Sequence, residues 1–259
     1  MSESSDPDLL RRLWRAERDR EREIACAVEP FEGGFALVSP DLDELWIANT
    51  LEVESPDLAA AQLGSLADEL LGGRGMQHRL VCPAEPSLGD GLTEGFRDLG
   101  WDIDRNLFMV LRREPEREGA YAVEVPQEHI GELRRHVATS DPDATARAVE
   151  QMVTHDQRAD RLASGRWFAA FEEGEPASTC VLFDNGGIGQ VETVITLPEA
   201  EGRGLGSAVV LAACEASRRT GHDLTYLIAD ADDWPWKLYE RLGFDRLGVV
   251  NSFLRKPQP

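Results

Sequence analysis

Three glycines at alternate positions, Gly202, Gly204 and Gly206, punctuate the stretch LPEAEGRGLGSAVV, Leu197 to Val210. Glycine weakens regular structure and is useful where backbone turns left-handed or must approach another group closely. The residues before the turn, GQVETVITLP, read as a strand, and those after it, GSAVVLAACEASRRTG, as a helix. Strand, glycine turn and helix N-terminus together present bare N–H groups, which is a site for an anion. The chemistry to be identified is therefore that of the anion.

Two familiar phosphate loops can be compared with this turn. A P-loop closes on Gly-Lys-Ser/Thr, and the turn contains no lysine, so that option is excluded. The dinucleotide fingerprint G-x-G-x-x-G fits in part, with Gly202 and Gly204 in place and Ser207 at the third glycine. The strand LTYLIAD then ends at Asp230, near where a ribose-binding acid would stand. One further helix and strand follow, too few for a doubly wound sheet, and PEAE lengthens the connection into the glycines.

The elements that position the turn occur twice. LYERLGFDRLGVVNSFLRK, Leu238 to Lys256, aligns without a gap on GFRDLGWDIDRNLFMVLRR, Gly95 to Arg113, with Tyr239 on Phe96 and Leu242-Gly243-Phe244 on Leu99-Gly100-Trp101. Each copy reads as a helix ended by a left-handed glycine, then a long strand. Upstream of the later copy, GRWFAAFEEGE and PASTCVLFDN read as a strand pair, with Gly221 at the C-cap of the helix that follows the turn. Upstream of the earlier copy come strands GFALVSP and ELWIANTLEV, helix DLAAAQLGSLADELLGG, strand HRLVCP and helix LGDGLTEGFRDLG. The charged segment REPEREGAY, Arg113 to Tyr121, suits a linker. The pattern predicts two α/β repeats, 1–118 and 119–259. The first has EVESPDLAAAQLG in place of the glycine turn and Phe96 in place of a phenol, which marks it as structural.

Composition sets outer limits. The 259 residues hold one large domain or two small ones, and the net charge of −21 argues against sequence-independent nucleic-acid binding. No apolar run approaches the ~20 residues of a membrane span. The N-terminus is charged throughout, unlike a signal or transit peptide. Cys26, Cys82, Cys180 and Cys214 have no paired spacing, which predicts neither a zinc site nor a disulfide framework, and a cytoplasmic setting.

Leu197 to Ser207, followed by WKLYERLGF (Trp236 to Phe244), resembles the GNAT superfamily of acyl-CoA-dependent N-acyltransferases. Its motif is Arg/Gln-x-x-Gly-x-Gly/Ala at a helix start, with a later LYxxxGF segment. The resemblance covers about 120 to 257, and a decayed copy covers about 30 to 113. It implies an α/β (α+β) fold of two repeats, each a mixed, mostly antiparallel sheet flanked by helices. It further implies acetyl-CoA as acyl donor, no metal, and a small-molecule primary amine as acceptor. The protein would be a monomer or homodimer with no nucleic-acid or membrane partner. Thr196 and Leu197 would offer backbone groups to the pantetheine and thioester. Glu201, Gly202, Arg203, Gly204, Leu205, Gly206 and Ser207 would form the pyrophosphate loop, with Arg203, Lys237 and Arg218 as candidate phosphate partners. Tyr239 falls on the usual general acid. Two positions depart from the pattern: Glu201 replaces Arg or Gln, and Asp232 stands where Asn is common.

Acyl transfer to an amine needs a deprotonated amine, a held carbonyl and a proton for the departing thiolate. Glu192 lies four residues before Thr196, and regular strand alternation would put both on one face, within reach of the amine. N–H groups near Thr196 and Leu197 would stabilise the oxyanion. The blander alternatives are a solvent-facing strand carboxylate for Glu192 and a core packing role for Tyr239. The rival class is a non-catalytic acyl-CoA-binding or regulatory module. Acceptor contacts are expected from the helical region between His129 and Gln157.

Overall fold

The structure, a computed structural model, describes residues 6–116, 121–139 and 145–257. Their contacts divide them into two units. One holds the chain up to Leu107, Asp230–Asp232 and the chain from Leu247 on; the other holds Phe108–Ala229 and Asp233–Arg246. The boundary expected near residue 118 lies outside the described residues.

The first unit opens with α1 (Asp6–Ile24), followed by β1 (Ala27–Phe31), β2 (Gly34–Val38) and β3 (Thr50–Val53). Then come α2 (Ala60–Leu70), β4 (Arg79–Pro83), α3 (Pro86–Asp98) and the start of β5 (Asp102–Leu111). β1, β2 and β3 pair antiparallel, and β3 pairs parallel with β4 after the crossover through α2. The charged N-terminal segment is a helix that buries Leu9, Leu13 and Trp14. Its Arg22 makes a two-pronged bond to the buried Glu52 of β3 at 2.7 and 2.9 Å.

The second unit begins with the end of β5 and continues through β6 (Val123–Val125), α4 (Gly131–Thr139) and α5 (Ala146–Ala163). The strands β7 (Arg166–Glu172), β8 (Glu175–Asp184) and β9 (Ile188–Thr196) follow. Then come α6 (Leu205–Thr220), β10 (Leu224–Asp230), α7 (Pro235–Arg241) and the first residues of β11 (Phe244–Arg255). β6 to β9 pair antiparallel in chain order, and β9 pairs parallel with β10 after the crossover through α6. The first unit thus has three antiparallel strands, a crossover helix and a parallel strand, and the second has the same order with one more antiparallel strand, β6, in front.

The remaining part of β11 belongs to the first unit, where it pairs antiparallel with β4, Phe253 opposite Val81. Phe253 stacks on Phe96 of α3 at 4.2 Å, and Phe96 tilts against Trp101 at 4.8 Å, within a core that includes Leu51, Val53 and Leu63. The two helix-ending glycines, Gly100 and Gly243, both take positive φ, 75° and 99°. The expected strand at ELWIANTLEV is shorter than its sequence suggests. Trp46–Ala48 forms a 3-10 turn, and only Thr50–Val53 joins the sheet.

Candidate active site

The glycine turn lies in the second unit, at the start of α6. Gly202 and Gly204 adopt φ of 73° and 82°, a region that L side chains rarely occupy, and a Cβ on either would meet no protein atom within 4 Å. The open space on that side is where a bulky ligand would press against the backbone. Gly204 caps α6 without any side-chain hydrogen bond, and the first closed helical bond runs from Ala208 N–H to Gly204 C=O at 3.0 Å. The amides of Leu205, Gly206 and Ser207 precede that bond and point out of the helix start. At Gly206 a Cβ would lie 3.2 Å from Thr196 Oγ1, a tight contact to which that hydroxyl would have to yield. The α2 N-terminus in the first unit differs. There Ala59 N–H donates to Gln62 Oε1 at 2.9 Å, so a side chain already serves that helix start.

Alongside the turn, β9 and β10 separate. Their parallel ladder runs from Leu224 opposite Ile188 to Leu227 opposite Val191 and stops, although β9 continues to Thr196. The cause lies on the other edge of β9. Thr179 faces Ile195 and Val181 faces Glu192, so two residues, Thr193 and Val194, oppose the single Cys180. Thr193 carries the extra turn with φ of 52°. Such a bulge bends its strand and increases local twist. The backbone edge of residues 192–196 is thereby left outside the β10 ladder.

The bulge also corrects the expected placement of Glu192. Opposed residues in an antiparallel pair share a face, which puts Glu192 with Val181 and Thr196 with Ser178 on opposite faces. Four-residue spacing gives one face only in a regular strand, and the inserted residue reverses it. On the Thr196 face, Ser178 Oγ lies 2.9 Å from Thr196 Oγ1 and donates to Ile195 C=O at 2.8 Å. On the Glu192 face, Trp167 stands opposite Val181 on the next strand, and Arg134 of α4 lies over its ring at 4.7 Å. Arg134 is also paired with Asp156 of α5. Burial draws its guanidinium down to about 10, against the upward pull of Asp160 and Glu192.

Tyr239 is 8% exposed on α7, packed edge-on against Phe244 at 6.3 Å, with no hydrogen-bond partner for its hydroxyl among the described residues. Burial, and to a smaller degree the neighbouring Cys180, push its phenol up to about 12. Cys180 is fully buried, donates to Val209 C=O at 3.2 Å, and has its thiol driven well above the usual range by burial.

Other expected contacts fall differently. Leu197 N–H, proposed for an oxyanion, donates to Ala177 C=O at 2.9 Å, and Glu201 N–H donates to Pro198 C=O at 3.3 Å. Arg203 turns toward Glu172 of β7, with which it is ion-paired, and also donates to Glu199 C=O at 2.8 Å. Arg218 stands in the last turn of α6 and pairs with Glu215, ~20 Å along the helix from the glycines. Lys237 lies over the Trp236 ring at 5.2 Å. Asp232 belongs to the first unit, where its carboxylate takes a hydrogen bond from Arg105 at 2.5 Å. A cavity of about 560 Å³ opens beside Leu197, with Glu128, Glu132, Glu175, Glu199, His129 and His136 in its walls. Residues 140–144 of the helical segment expected to supply acceptor contacts lie outside the described residues.

Sequence reasoning did not single out Ser178, Cys180, Arg134 or Glu172. Each acquires its place through a partner on another element, and no local motif marks it.

Residues 130–244 match the family model described as acetyltransferase (GNAT) family. A mycothiol acetyltransferase of Pseudarthrobacter chlorophenolicus is 32% identical over 136 residues, 44% of this chain and 42% of its own length. The chain therefore matches less than half of that relative. A GCN5-related N-acetyltransferase from Kribbella flavida superposes with a TM-score of 0.62 at 17% identity, covering 96% of both chains. A tandem GNAT protein from the clavulanic acid biosynthesis pathway gives 0.53 at 16% identity, covering 81% of this chain and 74% of its own. The segment 130–244, which carries the strand bulge, the open glycine turn and the buried phenol, is what this chain shares with the acetyltransferase (GNAT) family.

Proposed function

We propose that the protein is an N-acyltransferase that takes an acetyl group from acetyl-CoA and transfers it to a primary amine of a small molecule. The observation that carries this reading is the parting of β9 from β10 at Val191 and Leu227, next to a helix start that no side chain caps. A free strand edge suits an extended amide-containing arm, and the adjoining amides suit its phosphates. Bound acetyl-CoA would supply an activated thioester acyl group. The protein's part is to hold that arm, remove a proton from the amine and stabilise the departing sulfur.

Glu192 is the candidate proton acceptor, on the face that carries Trp167 and Arg134. Tyr239 acts at the sulfur. With its phenol near 12, it stays protonated at any ordinary assay pH, so it donates a hydrogen bond and does not exist as phenolate. Its hydroxyl, without a protein partner among the described residues, is free for that purpose. Direct attack in a ternary complex is favoured over an acyl-enzyme. Cys180, the thiol beside Tyr239, is buried, engaged with Val209 and held in its unreactive protonated form. The carboxylates of the cavity beside Leu197 suit a cationic amine. The first repeat, 1–118 by sequence, serves as scaffold, since Gln62 occupies its helix start and no left-handed glycine precedes it.

The test is a panel of primary amines offered with acetyl-CoA while free thiol is followed. Amine-dependent thiol release, lost in Glu192→Gln, supports the reading. Acetyl-CoA binding without release on any amine points to a non-catalytic binding module.

A further inference from the structure

The turn contains one cation, Arg203, preceded by two carboxylates of its own, Glu199 and Glu201. Arg203 is flanked by the two left-handed glycines, so its backbone belongs to the phosphate-facing turn. Its side chain does not serve that face. One nitrogen is paired with the carboxylate of Glu172, and another donates to the carbonyl of Glu199 at 2.8 Å. Glu172 ends β7 and stands opposite Glu175 in the hairpin to β8. A guanidinium fork accepts carboxylate and phosphate oxygens with the same geometry, so the two compete for it.

We infer that Glu172 is an affinity-determining residue of the acyl-CoA site. Its carboxylate occupies the guanidinium of Arg203 that a coenzyme phosphate would otherwise take. This rests on the acyl-CoA reading above and extends it. Binding of the coenzyme draws Arg203 from Glu172 to a phosphate, and the difference between the two pairs sets how much the arginine contributes. The Arg203 side chain is 55% exposed and that of Glu172 33%, so solvent screens the pair and the effect is modest. The arrangement explains how a turn with Glu201 in place of a cation still has an arginine within reach, held in reserve by a neighbouring strand.

The prediction is that removing the charge of Glu172 tightens coenzyme binding. Titrate acetyl-CoA into the full chain by calorimetry at several salt concentrations, for wild type, Glu172→Gln, Arg203→Met and the double variant. Glu172→Gln should lower Kd by about 1.5- to 5-fold, the range expected for an exposed pair. It should also steepen the dependence of Kd on salt, because a free guanidinium then meets the phosphate. Arg203→Met should weaken binding, and the gain from Glu172→Gln should vanish in its background. A mere packing role for Glu172 would not move the salt slope. Wild-type binding with an unmoved or raised Kd in Glu172→Gln overturns this inference alone, as does an equal gain in the Arg203→Met background. Absence of binding by all four folded forms overturns the acyl-CoA reading, and this inference with it.

Discussion

Replacing Tyr239 by Phe isolates one hydroxyl. The ring contact with Phe244 is retained, and the removed hydroxyl has no protein hydrogen bond among the described residues. Folding should therefore be unharmed, and a thermal midpoint close to wild type is expected, since the substitution breaks no protein hydrogen bond. The first repeat supports this, with a fully buried Phe96 at the matching position. During catalysis the hydroxyl would donate to a sulfur gaining negative charge. A hydrogen bond to a charged group contributes ~1.5–3 kcal/mol, which converts to a loss of about 10- to 150-fold in kcat. Because the bond forms as the thiolate departs, KM for acetyl-CoA should move little. The phenol near 12 adds a second expectation: no loss of activity from Tyr239 ionisation below about pH 11. Thiol release with the best acceptor, followed from pH 6 to 10.5 in both forms, checks both. An unchanged kcat in Tyr239→Phe, or a wild-type alkaline limb near 10 that disappears in the variant, would refute the assignment.

Gly204→Val should remove most acetyl-CoA affinity, because a branched side chain at φ of 82° strains the turn and fills the space a phosphate would need. Gly204→Asn, which tolerates left-handed backbone, should be less strained while still losing affinity; calorimetry separates this loss from that seen in a melting curve. Glu201→Gln should tighten binding and reduce its repulsive salt dependence, read in the same titration. In Gly243→Ala, the new Cβ would lie 2.1 Å from the carbonyl of Arg113, at φ of 99°. We expect a loss of roughly 1–3 kcal/mol in urea unfolding. His78 is buried and bonded through Nε2 to the carbonyl of Asn49 at 3.1 Å, and burial, aided by Arg79, lowers its pKa. Below the ordinary histidine range near 6.5 the unfolded chain then binds a proton that the folded one refuses. Stability should be full above that pH and fall as pH drops through it, and His78→Gln should flatten that slope.

The glycines were the most legible part of this chain. Gly100, Gly221 and Gly243 all take the left-handed conformation their positions at helix ends suggest, because few other residues can do so cheaply. The bulge was not legible. Thr193 and Val194 are β-branched residues in a strand-like run, and only pairing with β8 forces φ of 52° on Thr193. That one residue reversed the expected face of Glu192. The N-terminal helix was obscured by its charge. Arg22 and its neighbours look solvated in sequence, whereas Glu52, far along the chain, gives Arg22 a buried partner. Arg203 looked like a phosphate ligand for a similar reason, since Glu172 lies 31 positions before it.

The pairing of β11 with β4 bears on how the protein is made. Phe253 and Val81 stand opposite each other although the chain between them contains the whole of the second unit. During synthesis, β4 emerges long before its neighbour exists, and its edge stays open while the ribosome completes the remaining residues. An unpaired apolar edge of that kind is prone to wrong partners. Here β11, made long after β4, supplies Phe253, the residue that stacks on Phe96 and closes the first unit's core. A chain cut short before Phe253 would therefore leave the first unit unfinished, and chaperone demand should be set by the wait of β4 for β11.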